Sequence, residues 1–256
     1  MFYGDCLEAF TYIPTESVDL IITSPPYNLK KEYENKLSEE QYFGFIQRTM
    51  VECFRVLKKS GRICWNVIHQ CRWGRDGDIY PMARKHANKL EEVGFRFFDH
   101  LIWNQGYSDS ATAWGSWLSP SAPFIQHKTE AILVFYKKQW PLIDRGESDL
   151  SKKEFITWTN NEVWDIPPVS ATSIGHPAPF PEELPKRCMK LFSYKNAIIL
   201  DPFLGSGTVM KVAQDNDRSC IGMELKTEYI DLIKKRCWGR QFLNRDVSYD
   251  FVTLGG

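Results

Sequence analysis

Alternating strand and helix patterns along this 256-residue chain predict an α/β fold, a doubly wound and mostly parallel sheet with helices on both faces. Two turns support this prediction most. The apolar run 18–23 ends in Ser24-Pro25-Pro26-Tyr27, and the apolar run 197–200 leads into a glycine-rich turn and then a helical pattern. Because ligands bind outside the carboxyl ends of parallel strands, we expect both turns to face one crevice.

The helices are predicted from apolar residues at helical spacing. They cover residues 39–57, 80–93, 181–194 and 209–215. The first is expected to end at Gly61 as its C-cap, and the second to stop near Gly94.

The strands are predicted from short apolar runs bounded by polar residues. Besides the two runs already named, they cover residues 62–67, 95–103, 130–135 and 219–224. Residues 104–125 and 139–175 show no comparable pattern. We therefore predict a single domain over residues 1–256, with these two segments as insertions.

Ser24-Pro25-Pro26-Tyr27 is an unusual way to leave a strand. The prolines fix φ and remove two backbone donors, which leaves a hydroxyl, bare carbonyl groups and a flat ring in one stiff arrangement. Such an arrangement suits a planar amide or amine, with a nucleobase as the obvious example. A plain surface turn is the alternative, because Pro-Pro pairs are common in loops.

The glycine-rich turn reads Asp201-Pro202-Phe203-Leu204-Gly205-Ser206-Gly207-Thr208. Strand, glycine turn and helix form the arrangement that cradles nucleotides. The dinucleotide fingerprint needs a third glycine where this chain has Met210, and the lysine of the triphosphate-binding loop is absent. Glu224, about twenty residues further on at a strand end, is placed to bind a ribose. The pattern predicts a nucleoside cradle.

Together these motifs resemble those of the amino-methylating DNA methyltransferases of the β class, in which the catalytic motif precedes the cofactor motif. Residues 23–28 resemble the catalytic motif and residues 201–208 the cofactor motif; weaker matches are residues 4–6, 127–138 and 176–181. The resemblance implies a Rossmann-like methyltransferase fold with permuted motif order. It also implies S-adenosyl-L-methionine as the cofactor, double-stranded DNA as the substrate and no metal.

The resemblance also implies roles for individual residues. Ser24 Oγ and the Pro25 carbonyl would accept the two hydrogens of an exocyclic amine, Pro26 would add no competing donor, and Tyr27 would stack on a flipped-out base. The cofactor site would comprise Asp5, Cys6, Thr23, His176, Phe180, Asp201, Pro202, Phe203, Gly205, Ser206, Gly207, Thr208 and Glu224.

The identity of the base depends on Ser24. Serine at this position is more typical of the family's cytosine-N4 enzymes, and aspartate or asparagine of its adenine-N6 enzymes. We therefore expect cytosine N4, with adenine N6 as the alternative. Cytosine-C5 chemistry is disfavoured because no cysteine here follows a proline. A nicotinamide-dependent oxidoreductase, which Met210 disfavours, and a catalytically inactive nucleic-acid binding module remain as other classes.

Composition sets further limits. The 32 basic and 32 acidic residues give zero net charge, so a DNA-binding face requires segregated basic residues. The seven cysteines contain no Cys-x-x-Cys pair, which predicts reduced core thiols and no zinc site. Because the sequence has no long apolar stretch, we expect neither a signal peptide nor a membrane span. We expect a cytoplasmic, nucleoid-associated monomer or homodimer, with a cognate restriction endonuclease as a possible partner.

The resemblance implies that the inserted segments 104–125 and 139–175 contact DNA or read its target sequence, and several residues are candidates for the same role. The charged segment 28–40 follows the catalytic motif and is placed to close over a bound base. Trp140, Trp158 and Trp164 lie where the family's order places target recognition. For the basic residues, solvated surface is the default and phosphate contact the alternative; they are His69, Arg72, Arg75 and His86.

Overall fold

A nine-stranded sheet forms the centre of the computed structural model. The structure describes residues 1–28, 37–72, 79–106, 116, 118–123, 125, 127–170, 181–238 and 250–254. The strands are β1 (Phe2–Tyr3), β2 (Val18–Thr23), β3 (Leu57–Ile68), β4 (Cys71–Arg72), β5 (Ile79–Tyr80), β6 (Arg96–Asn104), β7 (Thr129–Tyr136), β8 (Val163–Asp165), β9 (Ile198–Asp201), β10 (Ser219–Glu224) and β11 (Val252–Thr253). The helices are α1 (Cys6–Ala9), α2 (Glu39–Val56), α3 (Met82–Val93), α4 (Lys152–Thr159), α5 (Glu183–Phe192), α6 (Thr208–Asp215) and α7 (Ile230–Cys237).

The sheet has the order β11-β1-β10-β9-β2-β3-β7-β6-β8, while β4 and β5 form a separate two-stranded ribbon. Strand β7 runs antiparallel to β3 and β6, and all other neighbours in the large sheet are parallel. The chain leaves β2 towards β3 on one side and leaves β9 towards β10 on the other. The strand order therefore reverses between β2 and β9, and the predicted doubly wound, mostly parallel sheet is confirmed.

Helices cover both faces of the sheet. One core packs α1, α2 and α3 against strand residues such as Ile63 and Trp65, and the other packs α5 and α6 against strand residues such as Leu20 and Ile22. Strand β7 contributes alternate side chains to the two cores, with Leu133 in the first and Ile132 in the second. The two layers bury the central parallel strands on both faces, and the carboxyl ends of those strands lie at one edge of the sheet.

The predicted range of the first long helix is confirmed to within one residue, but the prediction that Gly61 is its C-cap is wrong. Helix α2 begins with a capping box between Ser38 and Gln41 and ends at Val56, after which Leu57 starts β3 without a loop. Gly61 lies inside β3, where a Cβ would come 2.7 Å from Leu57 Cδ2 and within 3.2 Å of two carbonyl oxygens. This glycine is therefore used for close packing within a strand, and not as a helix cap.

The segment 139–175 contributes regular structure over its described part, residues 139–170. Helix α4 packs near α5 through an ion pair between Glu154 and Lys190, and β8 extends the sheet beside β6. Trp158 and Trp164 are buried, and Trp140 stacks on Phe98. These three rings therefore support the fold here; the role of the segment in DNA contact stays a prediction, as does that of 104–125, which lies largely outside the described residues.

Three expectations from composition can be examined over the described residues. All seven cysteines are described, none forms a disulfide bond, and six are buried. No group of three or more histidine, cysteine or acidic side chains in the described ranges is arranged to hold a metal ion. No helix in that part of the chain combines the length and the apolar character that crossing a membrane requires.

Candidate active site

The two predicted motifs meet where the strand order reverses. Thr23, the last residue of β2, donates a hydrogen bond from Oγ1 to Asp201 Oδ1 at 2.7 Å, and both residues are buried. Asp201 ends β9, so this bond joins the carboxyl ends of adjacent strands. The turn 24–27 and the glycine turn thus flank one crevice, at the place where open α/β sheets bind ligands.

Ser24 and Tyr27 are joined within the first turn. Their hydroxyl oxygens lie 2.9 Å apart, and the Tyr27 hydroxyl donates to Glu130 Oε2 at 3.0 Å. Burial raises the pKa of the Tyr27 phenol well above its usual value, and the nearby Glu130 carboxylate raises it further. Tyr27 is therefore a neutral phenol whose ring remains partly exposed.

Two amides complete this hydrogen-bond network. Asn66 on β3 donates from Nδ2 to Glu130 Oε2 at 2.7 Å and lies 3.3 Å from the Tyr27 hydroxyl. Gln105 donates from Nε2 to Glu130 Oε1 at 2.9 Å. Sequence reasoning missed Asn66, Glu130 and Gln105 as site residues. The available signal was Asn66, a polar residue inside the otherwise apolar buried run 63–67.

The glycine turn adopts the conformation that its residues predict. Gly205 and Gly207 have φ angles of 54° and 80°, in the left-handed region that favours glycine, and Gly207 caps the start of α6. A Cβ on Gly207 would lie 3.3 Å from Cys237 Sγ and Ile233 Cγ2. The turn is therefore held close against α7 at the amino end of α6.

Two buried carboxyl groups flank the glycine turn. Asp201 Oδ1 also accepts the Phe203 N–H at 3.0 Å, and burial raises the pKa of this carboxyl to about 7 despite the hydrogen bonds from Phe203 and Thr23. Glu224 at the end of β10 accepts the N–H groups of Gly205 and Lys226, each at 2.8 Å. Burial raises the Glu224 pKa as well. Both acids keep lone pairs for a ligand.

The amino-terminal residues reach the same edge of the sheet. The Gly4 N–H donates to the Glu224 carbonyl at 2.9 Å, which places the end of β1 beside the end of β10. Asp5 Oδ1 caps α1 by accepting the Leu7 N–H at 2.7 Å. Cys6 is buried, and burial raises the pKa of its thiol to about 12. Cys6 is therefore a neutral packing residue in this position.

The structure brings together the described members of the predicted set at the carboxyl ends of β1, β10, β9 and β2. Within the glycine turn, Pro202, Ser206 and Thr208 are buried, and the Phe203 ring lies 6.3 Å from the Trp65 ring. His176 and Phe180 lie outside the described residues.

Comparison with known proteins agrees with this geometry. Residues 18–235 match the family described as DNA methylase, N6_N4_Mtase. The chain belongs to this family. The predicted amino-methyltransferase, with its S-adenosylmethionine cofactor and its action on DNA, is confirmed at the level of the family.

Relatives of this DNA methylase cover most of its length. The DNA adenine methyltransferase YhdJ of Escherichia coli is 30% identical over 250 residues, which are 91% of this chain and 81% of that protein. The Type II methyltransferase M.MjaVI of Methanocaldococcus jannaschii is 37% identical over 158 residues, 60% of this chain and 79% of that protein. The crystal structure of a DNA modification methylase from Thermus thermophilus, complexed with S-adenosyl-L-methionine, has a TM-score of 0.76 at 26% identity and covers 99% of both chains.

Arg236 supports the glycine turn of this DNA methylase and was also missed from the sequence. Its Nη1 donates to the Ser206 carbonyl at 2.8 Å, to Ser206 Oγ at 2.7 Å and to Thr208 Oγ1 at 3.1 Å. Its Nη2 lies 3.4 Å from Glu182 Oε1. Sequence reasoning had no means to find Arg236, because α7 lies beyond the predicted strand–turn–helix–strand unit.

His86 is not a surface residue of this DNA methylase. It is buried, where Trp65 Nε1 donates to its Nδ1 at 2.9 Å and its Nε2 lies 3.1 Å from the Tyr42 hydroxyl. Burial lowers the pKa of the imidazole to about 3. Both expectations for His86, solvated surface and phosphate contact, are therefore wrong, because its helix turns the ring into the core.

The Asn28 side chain bonds to the backbone of Leu37, within the segment that follows the catalytic motif. Asn28 has a φ of 55°, and its side chain donates to the Leu37 carbonyl at 2.9 Å and accepts the Leu37 N–H at 3.3 Å. Residues 29–36 lie outside the described residues, so the prediction that the segment 28–40 closes over a base stays a prediction. What the structure adds is that both ends of the segment are fixed beside Tyr27.

Proposed function

We propose that this DNA methylase transfers a methyl group to the exocyclic N4 of cytosine in duplex DNA. The observation that carries the proposal is the Ser24 hydroxyl, which is hydrogen-bonded within the network of Tyr27 and lies directly after Thr23 at the reversal of strand order. A neutral hydroxyl at this position, in place of a carboxylate or an amide, supports cytosine over adenine.

For the amine, we propose that Ser24 Oγ and the Pro25 carbonyl accept its two hydrogens. An exocyclic amine is a poor nucleophile because its lone pair is delocalised into the ring. Two acceptors draw the nitrogen towards a tetrahedral state, and the lone pair then forms the new bond to carbon. S-Adenosylmethionine supplies an activated methyl group on a sulfonium, which departs as a neutral thioether. The surplus proton on nitrogen passes to water, so alignment supplies most of the catalysis.

For the cofactor, we propose that the predicted set lines one pocket, with Glu224 on the ribose hydroxyls and Asp201 near the cationic end. Glu224 and Asp201 flank the glycine turn as acceptors, and S-adenosylmethionine carries both hydroxyl donors and positive charge. Gly205, which has a positive φ and no side chain, allows close approach of a ligand to the backbone. The chemistry of the site therefore fits this cofactor.

For the base, we propose that it leaves the duplex and stacks on Tyr27. A target amine inside a duplex is out of reach, and methyltransferases are among the enzymes that extrude the base, at a cost of a few kcal/mol. The partly exposed ring of Tyr27, fixed through its hydroxyl, supplies a flat surface beside Ser24.

We also propose a cognate restriction endonuclease as a partner, because relatives such as M.MjaVI are named Type II methyltransferases.

Adenine N6 is the second candidate. The observation in its favour is the similarity to the Escherichia coli DNA adenine methyltransferase, 30% identical over 91% of this chain. The proposed acceptors, Ser24 Oγ and the Pro25 carbonyl, serve either amine. The two bases differ mainly in ring size, and therefore in what surrounds Tyr27.

The test is a methylation assay that identifies the product. The protein is incubated with labelled S-adenosylmethionine and several mixed-sequence duplexes, and the DNA is digested to nucleosides. Label on N4-methylcytosine is expected, and label on N6-methyladenine would overturn the choice of base. Label on neither base, with cofactor bound, would overturn methylation in favour of a binding module. Tight binding of reduced nicotinamide dinucleotide without binding of S-adenosylmethionine would indicate an oxidoreductase.

A matched variant separates the catalytic motif from the cofactor site. Ser24→Ala removes the proposed acceptor and leaves the backbone turn and the Thr23–Asp201 bond in place. Product formation should fall by about 100-fold, by analogy with removal of one preorganised hydrogen-bonding group, while the Kd for the cofactor stays within about twofold. Unchanged product formation would exclude Ser24 as an acceptor.

A further inference from the structure

Three hydroxyl and carboxyl groups form a continuous hydrogen-bonded chain that ends at the proposed acceptor. Glu130 Oε2 accepts the Tyr27 hydroxyl at 3.0 Å, and the Tyr27 oxygen lies 2.9 Å from Ser24 Oγ. Glu130 belongs to β7, 103 residues from Tyr27. It therefore reaches the catalytic turn only through the folded sheet, and neither predicted motif includes it.

The proton positions in this chain follow from the number of hydrogens available. An ionised carboxylate only accepts hydrogen bonds, so Glu130 takes the single proton of the Tyr27 hydroxyl. The Tyr27 oxygen then has no proton left for Ser24, and the 2.9 Å contact requires the Ser24 hydroxyl to be the donor. Since a hydroxyl has one proton and two lone pairs, Ser24 Oγ is left with lone pairs alone for any further partner.

The surroundings of Glu130 keep it in the accepting form. Asn66 Nδ2 donates to Oε2 at 2.7 Å, and Gln105 Nε2 donates to Oε1 at 2.9 Å. Both oxygens of Glu130 therefore act as hydrogen-bond acceptors. The Asn66 Oδ1 atom is buried without a hydrogen-bond partner among the described residues. The contacts of Asn66 Nδ2 therefore determine the orientation of the amide, and its Oδ1 is left without a donor among the described residues.

We propose that Glu130 is a positioning residue that, through Tyr27, fixes the direction of the Ser24 hydroxyl so that Ser24 Oγ accepts from the substrate amine. Without the carboxylate, the Tyr27 proton is free to point at Ser24 Oγ and occupy the lone pair that the amine needs. This inference rests on the proposed function of Ser24 as an acceptor. It holds for a cytosine or an adenine amine, because each presents N–H groups to the same oxygen.

The test is a double-mutant cycle on single-turnover methylation, with both DNA and cofactor saturating and label counted on either base. Glu130→Leu removes both acceptor oxygens at similar size, and Tyr27→Phe removes the relay hydroxyl while keeping the ring. Glu130→Leu alone should lower the rate by about tenfold or more. With Tyr27→Phe already present, the same change should lower the rate by less than about twofold, because the hydroxyl path to Ser24 is already broken and only the 3.5 Å contact of Asn66 Nδ2 with Ser24 Oγ remains.

Two further variants keep the result interpretable. Glu130→Gln retains a carbonyl that can still accept the Tyr27 proton, so its rate should lie between those of the wild type and Glu130→Leu. If Glu130→Leu fails to bind cofactor, the cycle is run with Glu130→Gln, whose smaller loss should also decrease when the Tyr27 hydroxyl is absent. Glu91→Gln, an exposed change on α3, should leave the rate unchanged.

The outcomes separate this proposal from the proposed function. If the Glu130 substitution lowers the rate by the same factor with and without the Tyr27 hydroxyl, the two residues act independently. That result would overturn the relay and make Glu130 a structural support. A full rate in Glu130→Leu would overturn it as well. Adenine as the labelled base would change the proposed substrate and leave the cycle valid. An unchanged rate in Ser24→Ala would refute the proposed acceptor itself, and with it the relay.

Discussion

Thr23 Oγ1 and Asp201 Oδ1 are 2.7 Å apart, although 178 positions separate the two residues in the chain. The bond links the last residue of β2 to the last residue of β9, on the two sides of the reversal in strand order. It also orients a buried carboxyl group whose pKa is about 7. This hydrogen bond therefore links the catalytic turn to the proposed cofactor pocket.

The first prediction concerns the pH dependence of cofactor affinity. Because burial raises the Asp201 pKa to about 7, the carboxyl is mostly protonated at pH 6 and mostly ionised at pH 8. A cationic ligand that requires the carboxylate must displace this proton at the lower pH. We expect the Kd for S-adenosylmethionine, measured by calorimetry, to be about tenfold weaker at pH 6 than at pH 8.

Asp201→Asn is the control for this prediction. Asparagine keeps the size of the side chain and an acceptor for Thr23 Oγ1 and the Phe203 N–H, and removes the titrating group. The variant should bind the cofactor more weakly at pH 8 and should show a flatter profile. The same pH dependence in both proteins would mean that another group titrates.

The central fold was predictable because each of its signals is local. The two turns at 24–27 and 201–208, with the apolar runs before them, define adjacent strands and their carboxyl ends without any long-range information. Strand β8 escaped prediction because three residues are too short for a clear period. The C-cap prediction for Gly61 failed because a glycine after an amphipathic helix usually marks the helix end, whereas here Leu57 starts a strand directly after α2.

The candidate site was predictable only where one segment carries its residues. The residues of the glycine turn follow one another in sequence, so a pattern identifies them. Glu130, Asn66 and Arg236 act through contacts between distant strands and helices, and nothing beside them in the chain indicates the partner. The contact between Asn66 and Glu130 follows from the pairing of β3 with β7, in which Asn66 lies opposite Ile132 and Ile68 lies opposite Glu130. This pairing is known only from the structure.

The second prediction separates base stacking from cofactor binding. Tyr27→Ala removes the ring that we propose to stack on the base, and stacking of one base on an aromatic side chain is worth about 1–3 kcal/mol. Methyl transfer should fall by about 100-fold with the loss of both stacking and the Ser24 contact, while the cofactor Kd changes by less than about twofold. Equal losses in transfer and in cofactor affinity would make Tyr27 a cofactor or folding residue.

The third prediction concerns stability in acid. The unfolded chain holds His86 near its ordinary pKa of 6.5, and burial lowers the pKa in the folded protein to about 3. Protonation between these two values therefore favours the unfolded state, and stability falls as the pH decreases from 6.5 towards 3. Between pH 7.5 and pH 5 this group should remove about 2 kcal/mol of unfolding free energy, measured by urea denaturation.

His86→Gln tests whether this histidine is the cause. The variant should be less stable than the wild type at pH 7.5, because the bonds with Trp65 and Tyr42 are disturbed. Its stability should decrease less steeply with falling pH, by about 2 kcal/mol over the same interval. His100→Gln, an exposed change, should keep the steep decrease. Identical slopes in all three proteins would assign acid sensitivity to other groups.

The last prediction is that Arg236 supports cofactor binding indirectly, through the glycine turn. Its guanidinium holds Ser206 and Thr208 through three hydrogen bonds, and so fixes the turn between Gly205 and α6. Arg236→Ala should weaken S-adenosylmethionine binding by about tenfold, because bonds to a charged group contribute about 1.5–3 kcal/mol and part of this is retained by the other contacts of the turn. Lys235→Ala, on the exposed side of α7, should bind the cofactor like the wild type. With cofactor saturating, the Arg236 variant should recover most of its methylation rate, since Ser24 and Tyr27 lie on the other turn. A rate that stays low at saturation would show that the position of the glycine turn also controls the transfer step.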